Sequence, residues 1–197
     1  MYPEIRVPLH HKNNYELLIA TILSAQCTDE MVNKVTPDLF RRYANPKELA
    51  TAPHSEIESL IRRLGLFRGK ARSLKSCAKE LVEKHNGEVP STMEALTRLP
   101  GVGRKTANLV VTLGYDKAGI CVDTHVHRIT NRWGLVRTKT PLQTEFALRE
   151  VLPVRYWKQL NSYLVALGQG ICRPISPLCS QCKIRLDCAR VGVGHSR

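Results

Sequence analysis

The chain has 197 residues, enough to bury one sizeable core or two small ones. Thirty Lys and Arg against seventeen Asp and Glu leave a formal net charge of +13 and a pI near 9.7, which favours polyanionic partners and associations that weaken with salt. No apolar run approaches the roughly 18 residues of a membrane span. The stretch after Met1 carries Glu4, Arg6, His10 and His11 where a signal peptide would hold its apolar core. A monomer in the cytoplasm, beside the nucleoid in a bacterial source, is the expectation.

Almost every segment has a helical period, and no alternating β-branched run stands out, so the expected fold class is all-α. Tyr15 to Gln26 reads as a buried helix and Thr28 to Phe40 as a second, with Asp29 in its first turn. Ser55-x-x-Glu58 is a capping box for a helix carrying Ile57, Leu60, Ile61 and Leu64. Gly65-Leu66-Phe67-Arg68-Gly69 reads as a turn before a basic helix from Lys70 to His85. Ser91-x-x-Glu94 is another capping box, after the Asn86-Gly87 and Val89-Pro90 breakers. An amphipathic stretch from Thr92 to Leu99 then meets Pro100.

Leu99-Pro100-Gly101-Val102-Gly103-Arg104-Lys105-Thr106-Ala107-Asn108 is the centre of the chain. Pro100 ends one helix, and two glycines permit a turn that no Cβ could follow. A second helix, apolar from Thr106 to Leu113, leads out. This helix-hairpin-helix suits a phosphate backbone lying against Gly101, Val102, Gly103 and Arg104, helped by the positive end of the helix dipole. It is not a P-loop, because the G-x-x-x-x-G-K-[ST] pattern is not met. Beyond it, Asp123 can cap a helix reaching Trp133, Thr140-Pro141-x-Gln143 starts another, and Tyr156 to Gly168 forms a further one. His125 and His127 stand two apart on a helix and share no face, so they read as structural or phosphate-facing rather than metal-ligating.

Four of the seven cysteines crowd into the last 26 residues: Cys172, Cys179, Cys182 and Cys188, spaced C-x6-C-x2-C-x5-C. An odd count without an export signal argues for a metal site over a disulfide framework. Tetrahedral zinc and a [4Fe–4S] cluster both accept four thiolates, and the single C-x2-C knuckle favours the cluster. Cys27, Cys77 and Cys121 read as small buried hydrophobes.

The chain resembles the endonuclease III family of DNA glycosylases. The likeness runs through Glu16-Leu-Leu-Ile-Ala, Ser24-Ala-Gln-Cys-Thr-Asp29, Gly65-Leu66 and Asn86-Gly-Glu-Val-Pro90. It continues through Leu99 to Asn108, Val122-Asp-Thr-His125 and the cysteine ending. It implies a six-helix barrel over residues 7–117 beside a [4Fe–4S] domain of residues 1–6 and 118–197, with double-stranded DNA across the cleft. The implied catalytic lysine is Lys105 and the implied catalytic aspartate Asp123; Gln26 and Leu66 are the implied duplex-probing residues, and Asp29 is a candidate polar group near the cleft. The implied activity is a base-excision-repair glycosylase with abasic-site lyase activity on oxidised pyrimidines. A lysine at a helix start beside Arg104, partly desolvated, would lose its proton more easily than the usual 10.4 allows.

Two departures stand out. The resemblance implies a family helix upstream of the position where this sequence starts, near Tyr2-Pro3, and the expectation without it is a partly open cluster domain. Arg98 precedes the hairpin, and Glu94 is the nearest upstream carboxylate. Three alternatives are an adenine-mismatch enzyme, a thymine-mismatch enzyme and a non-catalytic DNA-binding module. The first is disfavoured because Ile19 to Ala25 holds no carboxylate while Lys105 is present.

Overall fold

The computed structural model describes residues 9–197. These residues are helical, with no strand among them. They form two compact units that divide between Lys117 and Ala118. The expectations for residues 1–6 and the start near Tyr2-Pro3 fall outside the described residues.

The first unit is built on α1 (Asn14–Ser24), whose Leu17, Leu18, Ile19, Ala20 and Leu23 are all essentially inaccessible. A helix apolar on every face must be enclosed, and the elements that follow enclose it. They are α2 (Asp29–Arg42), α3 (Pro46–Thr51), α4 (His54–Ile61), α5 (Phe67–His85), α6 (Met93–Arg98) and α7 (Arg104–Leu109). The last runs on as a π turn over Val110–Gly114. Val32, Leu39, Leu49, Ile57, Leu74, Leu81, Leu96 and Val110 complete the core.

Local chemistry sets the boundaries. Asn13, Thr28, Asn45 and Thr92 accept backbone N–H groups as N-caps of α1, α2, α3 and α6. Both expected capping boxes fail. Helix α4 begins one residue before Ser55, after Pro53, whose ring fixes the entry angle without a side-chain cap. Glu58 turns instead to His54 Nε2 at 3.1 Å. At α6 the cap is Thr92 rather than Ser91, so Glu94 falls one position short of the reciprocal bond, and Ser91 accepts from Lys117 at 2.8 Å. The basic helix starts at Phe67, directly after Leu66, which closes the turn over residues 62–66 in a left-handed conformation.

The second unit holds α8 (Thr124–Trp133), α9 (Pro141–Val151) and α10 (Trp157–Gly170), followed by an irregular cysteine-bearing segment. Ile120, Val126, Ile129, Leu148 and Leu164 form its core. Thr140 caps α9 and Gln143 returns a bond to Lys139 N at 2.9 Å. His127 Nδ1 lies 2.6 Å from Thr144 Oγ1, a structural contact. At Gly168 an added Cβ would stand 2.2 Å from His125 Nδ1, so α8 and α10 meet where only glycine fits.

Candidate functional site

The hairpin is anchored from inside and exposed outside. Leu99 and Val102 are buried in the core, and Val102 N donates to Leu99 O at 3.1 Å, closing the turn. Gly101, Gly103 and Lys105 face solvent. The two glycines serve different ends. Gly101 has φ +77, and a Cβ there would stand 2.7 Å from Ser73 Cβ, so the fold itself requires glycine. Gly103 has φ −85 with nothing within 4 Å of an added Cβ. Its lack of a side chain leaves open space at the start of α7, which no side chain caps.

Lys105 is exposed, which corrects the expected partial desolvation. It stands on the outward side of the first turn of α7, while Ala107 and Asn108 turn inward. One group in the same unit answers its charge. Asp29, at the first position of α2, is half-buried; burial raises its carboxyl above the usual range while the Lys105 charge pulls it down. The sequence marks Asp29 as a helix-start acid and a candidate polar group near the cleft, but nothing local signals its approach to Lys105, so distant along the chain.

Gln26 lies beyond the end of α1 rather than on it, at φ +57, and Leu66 has φ +57 and is 66% exposed. A bulky residue with positive φ is uncommon and costs about 1–3 kcal/mol. The fold brings these two strained corners together. Cys27 Sγ lies 3.9 Å from Gly65 O, and Lys70 Nζ donates to that sulfur at 2.8 Å. Cys27 is therefore half-exposed and bonded, not the buried hydrophobe expected, whereas Cys77 and Cys121 are buried.

In the second unit Asp123 is half-buried at the N-cap of α8, its Oδ1 accepting from His125 N and Val126 N, both at 2.9 Å. The other end of α8 grips the cysteine segment. Arg132 donates to the carbonyls of Arg173 and Pro174 at 2.6 Å each and to Cys172 Sγ at 3.6 Å. Arg128 donates to Cys172 O at 2.8 Å, and desolvation lowers its pKa from the usual value.

Among the described residues, no three His, Cys, Asp or Glu side chains stand ready around a metal ion. Yet Cys172, Cys179, Cys182 and Cys188 all line one cavity, with Arg132, Arg185 and Arg190 at its wall. Its empty space is about 410 Å³, part of it open to solvent, and its exposed lining is mainly apolar. Four soft sulfur donors facing one apolar space with cations nearby suit an anionic thiolate-bound cluster.

A helix-hairpin-helix in an all-α chain of this charge defines a class of DNA-binding proteins that hold the phosphate backbone. Residues 19–154 match the family described as HhH-GPD superfamily base excision DNA repair protein. Endonuclease III of Thermotoga maritima is 44% identical, with 98% of this chain and 92% of that protein covered. The Bacillus subtilis endonuclease III is 39% identical over 95% of this chain and 86% of that protein. A trapped endonuclease III–DNA covalent intermediate superposes with a TM-score of 0.89 at 41% identity, covering 96% of this chain and 90% of that one. A thermostable thymine-DNA glycosylase gives 0.81 at 28%, covering 92% and 85%. The chain belongs to the endonuclease III family of helix-hairpin-helix base-excision-repair proteins.

Proposed function

We infer that the protein is a DNA glycosylase with abasic-site lyase activity in base excision repair, acting on duplex DNA, and that oxidised pyrimidines are its substrates. The observation that carries this reading is Lys105, set exposed at the start of α7 directly after the hairpin, in a fold shared with a trapped endonuclease III–DNA covalent intermediate.

The backbone of Gly101, Val102 and Gly103, with Arg104, seats the phosphates of one strand. A flipped nucleotide then offers its C1′ to Lys105 Nζ, and the seated duplex displaces water from around that amine. The lone pair attacks C1′, the glycosidic bond breaks, and the base leaves with the electron pair. The nitrogen, now bonded to C1′, gives up a proton, the C1′–O4′ bond opens with O4′ taking a proton, and the C=N bond so formed acidifies the neighbouring sugar carbon C2′. Loss of the C2′ proton expels the 3′ oxygen by β-elimination. Asp123 steadies positive charge on the sugar and handles protons, and Asp29 adds a carboxylate near Lys105. Gln26 meets the orphaned partner base, and Leu66 fills the vacated stack.

The described first unit, residues 9–117, is the barrel of this reading, and residues 118–197 form the cluster domain. Cys172, Cys179, Cys182 and Cys188 would hold the [4Fe–4S] cluster, supported by the single cavity they line. Bound there, the cluster would tie the irregular segment into one loop and add a redox-active centre.

The test is borohydride reduction on a duplex carrying an abasic site or an oxidised pyrimidine. A covalent protein–DNA product is expected, lost in Lys105→Gln while duplex binding survives. Turnover without any crosslink would make the enzyme a water-using, monofunctional glycosylase. The likeness to the thymine-DNA glycosylase supports a second reading, mismatch repair, and a panel of single-lesion duplexes decides between the two.

A further inference from the structure

The contact between Cys27 and Lys70 lies outside the chemistry above. Lys70 is only 6% exposed, in the first turn of α5, and its backbone N donates to Leu66 O at 3.0 Å. Burying a lysine head calls for a partner. Here the partner is a thiol, Cys27 Sγ, 2.8 Å from Nζ. Cys27 as a residue is of intermediate exposure, whereas Cys77 and Cys121 are buried. Neither residue touches the four-cysteine cavity. On one side of the pair stands Gln26 and on the other Gly65 and Leu66, so the contact joins the two left-handed corners.

We propose that Cys27 and Lys70 form a peroxide-responsive modification site, in which an oxidised Cys27 is captured by the Lys70 amine and the two corners become covalently tied. Hydrogen peroxide is the oxidant. The Cys27 sulfur attacks one peroxide oxygen, the O–O bond breaks, and the thiol becomes a sulfenic acid with release of water. The nitrogen lone pair of Lys70 then attacks that sulfur. The S–O bond breaks, the hydroxyl leaves as a second water with a proton from the amine, and an N–S bond remains. Relative to the free side chains two hydrogens are lost, and the peroxide is the species reduced. The donor sits close enough that a side-chain rotation suffices, whereas the buried thiol of Cys77 is closed to the oxidant.

The site stands on this geometry alone; only its consequence for Gln26 and Leu66 rests on the repair reading. The experiment treats the full-length protein with hydrogen peroxide, blocks remaining thiols, digests it and weighs the peptides without DNA. A joined peptide carrying residues 27 and 70 is expected, two hydrogens lighter than the sum of its parts. It should revert with dithiothreitol and be absent from Cys27→Ser and Lys70→Arg. Cys27 passing to sulfinic or sulfonic acid with no joined peptide would overturn the proposal. So would a thiol that stays unmodified, or a Cys27 adduct of the same mass that persists in Lys70→Arg. Because the decisive peptide is mapped in the wild type, a variant that folds poorly does not blunt the test, and loss of the borohydride crosslink would leave it untouched.

Discussion

Gly101→Ala and Gly103→Ala separate what the hairpin needs in order to fold from what it needs in order to bind. At Gly101 φ is +77, and the new Cβ would lie 2.7 Å from Ser73 Cβ and 3.4 Å from Ile22 Cγ2. Left-handed backbone costs a residue with a Cβ roughly 1–2 kcal/mol. Ser73 Cβ is fixed to the α5 backbone and cannot swing aside, so overpacking adds roughly 1–3 kcal/mol. The two costs relax together, giving a loss of about 2–4 kcal/mol and a Tm lowered by about 5–15 °C at this chain length. At Gly103 φ is already −85 and the added Cβ meets nothing within 4 Å. Stability should stay within about 0.5 kcal/mol. Its cost should appear on duplex DNA, as an affinity lowered by a similar factor for damaged and undamaged sequences, because the turn touches backbone and reads no base. Thermal melts and fluorescence-anisotropy titrations of both variants make the comparison. Wild-type melting of Gly101→Ala, or a comparable destabilisation by Gly103→Ala, would refute the division of labour.

Two further outcomes follow from the cysteines. Anaerobically purified protein should carry about four irons and four acid-labile sulfides per chain, and one tightly bound zinc without sulfide would sink the cluster assignment. Buried Cys77 has its thiol pushed up from 9.0 to about 12 by desolvation. Its folded pKa exceeds its unfolded one, so the linked stability is fully present below pH 9 and lost as pH rises toward 12. Each pH unit in that window removes up to about 1.4 kcal/mol. Urea midpoints at pH 7 and pH 10 should therefore show the gap between wild type and Cys77→Ala narrowing at the higher pH; an unchanged gap would contradict the burial argument.

What could be read from the sequence is what lies close together along it. The all-α class, the hairpin, the Asp123 cap and the helix start at Thr140-Pro141 depend on periodicity and on residues within one turn of each other. Where local rules compete, reading failed by a residue or so. Ser91 and Thr92 are both competent caps, and the chain uses the one that starts α6 in register with buried Leu96. Left-handed Leu66 was hidden because leucine rarely adopts positive φ, so no propensity signals it. The approaches of Asp29 to Lys105 and of Lys70 to Cys27 are tertiary, set by how α2, α5 and α7 pack around α1. The convergence of the four cysteines on one cavity was foreshadowed because their short spacing limits how far apart they can stand.

Asp123 is the position where a structural and a chemical reading coincide, and substitution can pull them apart. Its Oδ1 accepts the amides of His125 and Val126 at 2.9 Å each, which satisfies donors that the first turn of α8 cannot otherwise pair. A carboxylate used this way is held in one orientation by the helix it caps, which is also the requirement for a group that must meet charge developing on a sugar. Asp123→Asn keeps an acceptor oxygen at the cap and removes only the charge. Asp123→Ala removes both, and loss of the cap alone should cost about 0.5–2 kcal/mol. The asparagine variant should therefore melt close to wild type and bind an abasic duplex comparably, yet form the borohydride-trapped product far more slowly. The alanine variant should be slow as well as less stable. Wild-type trapping rates in Asp123→Asn would assign the carboxylate to the helix alone and move the electrostatic role to another acid, with Asp29, already within the field of Lys105, the first to test.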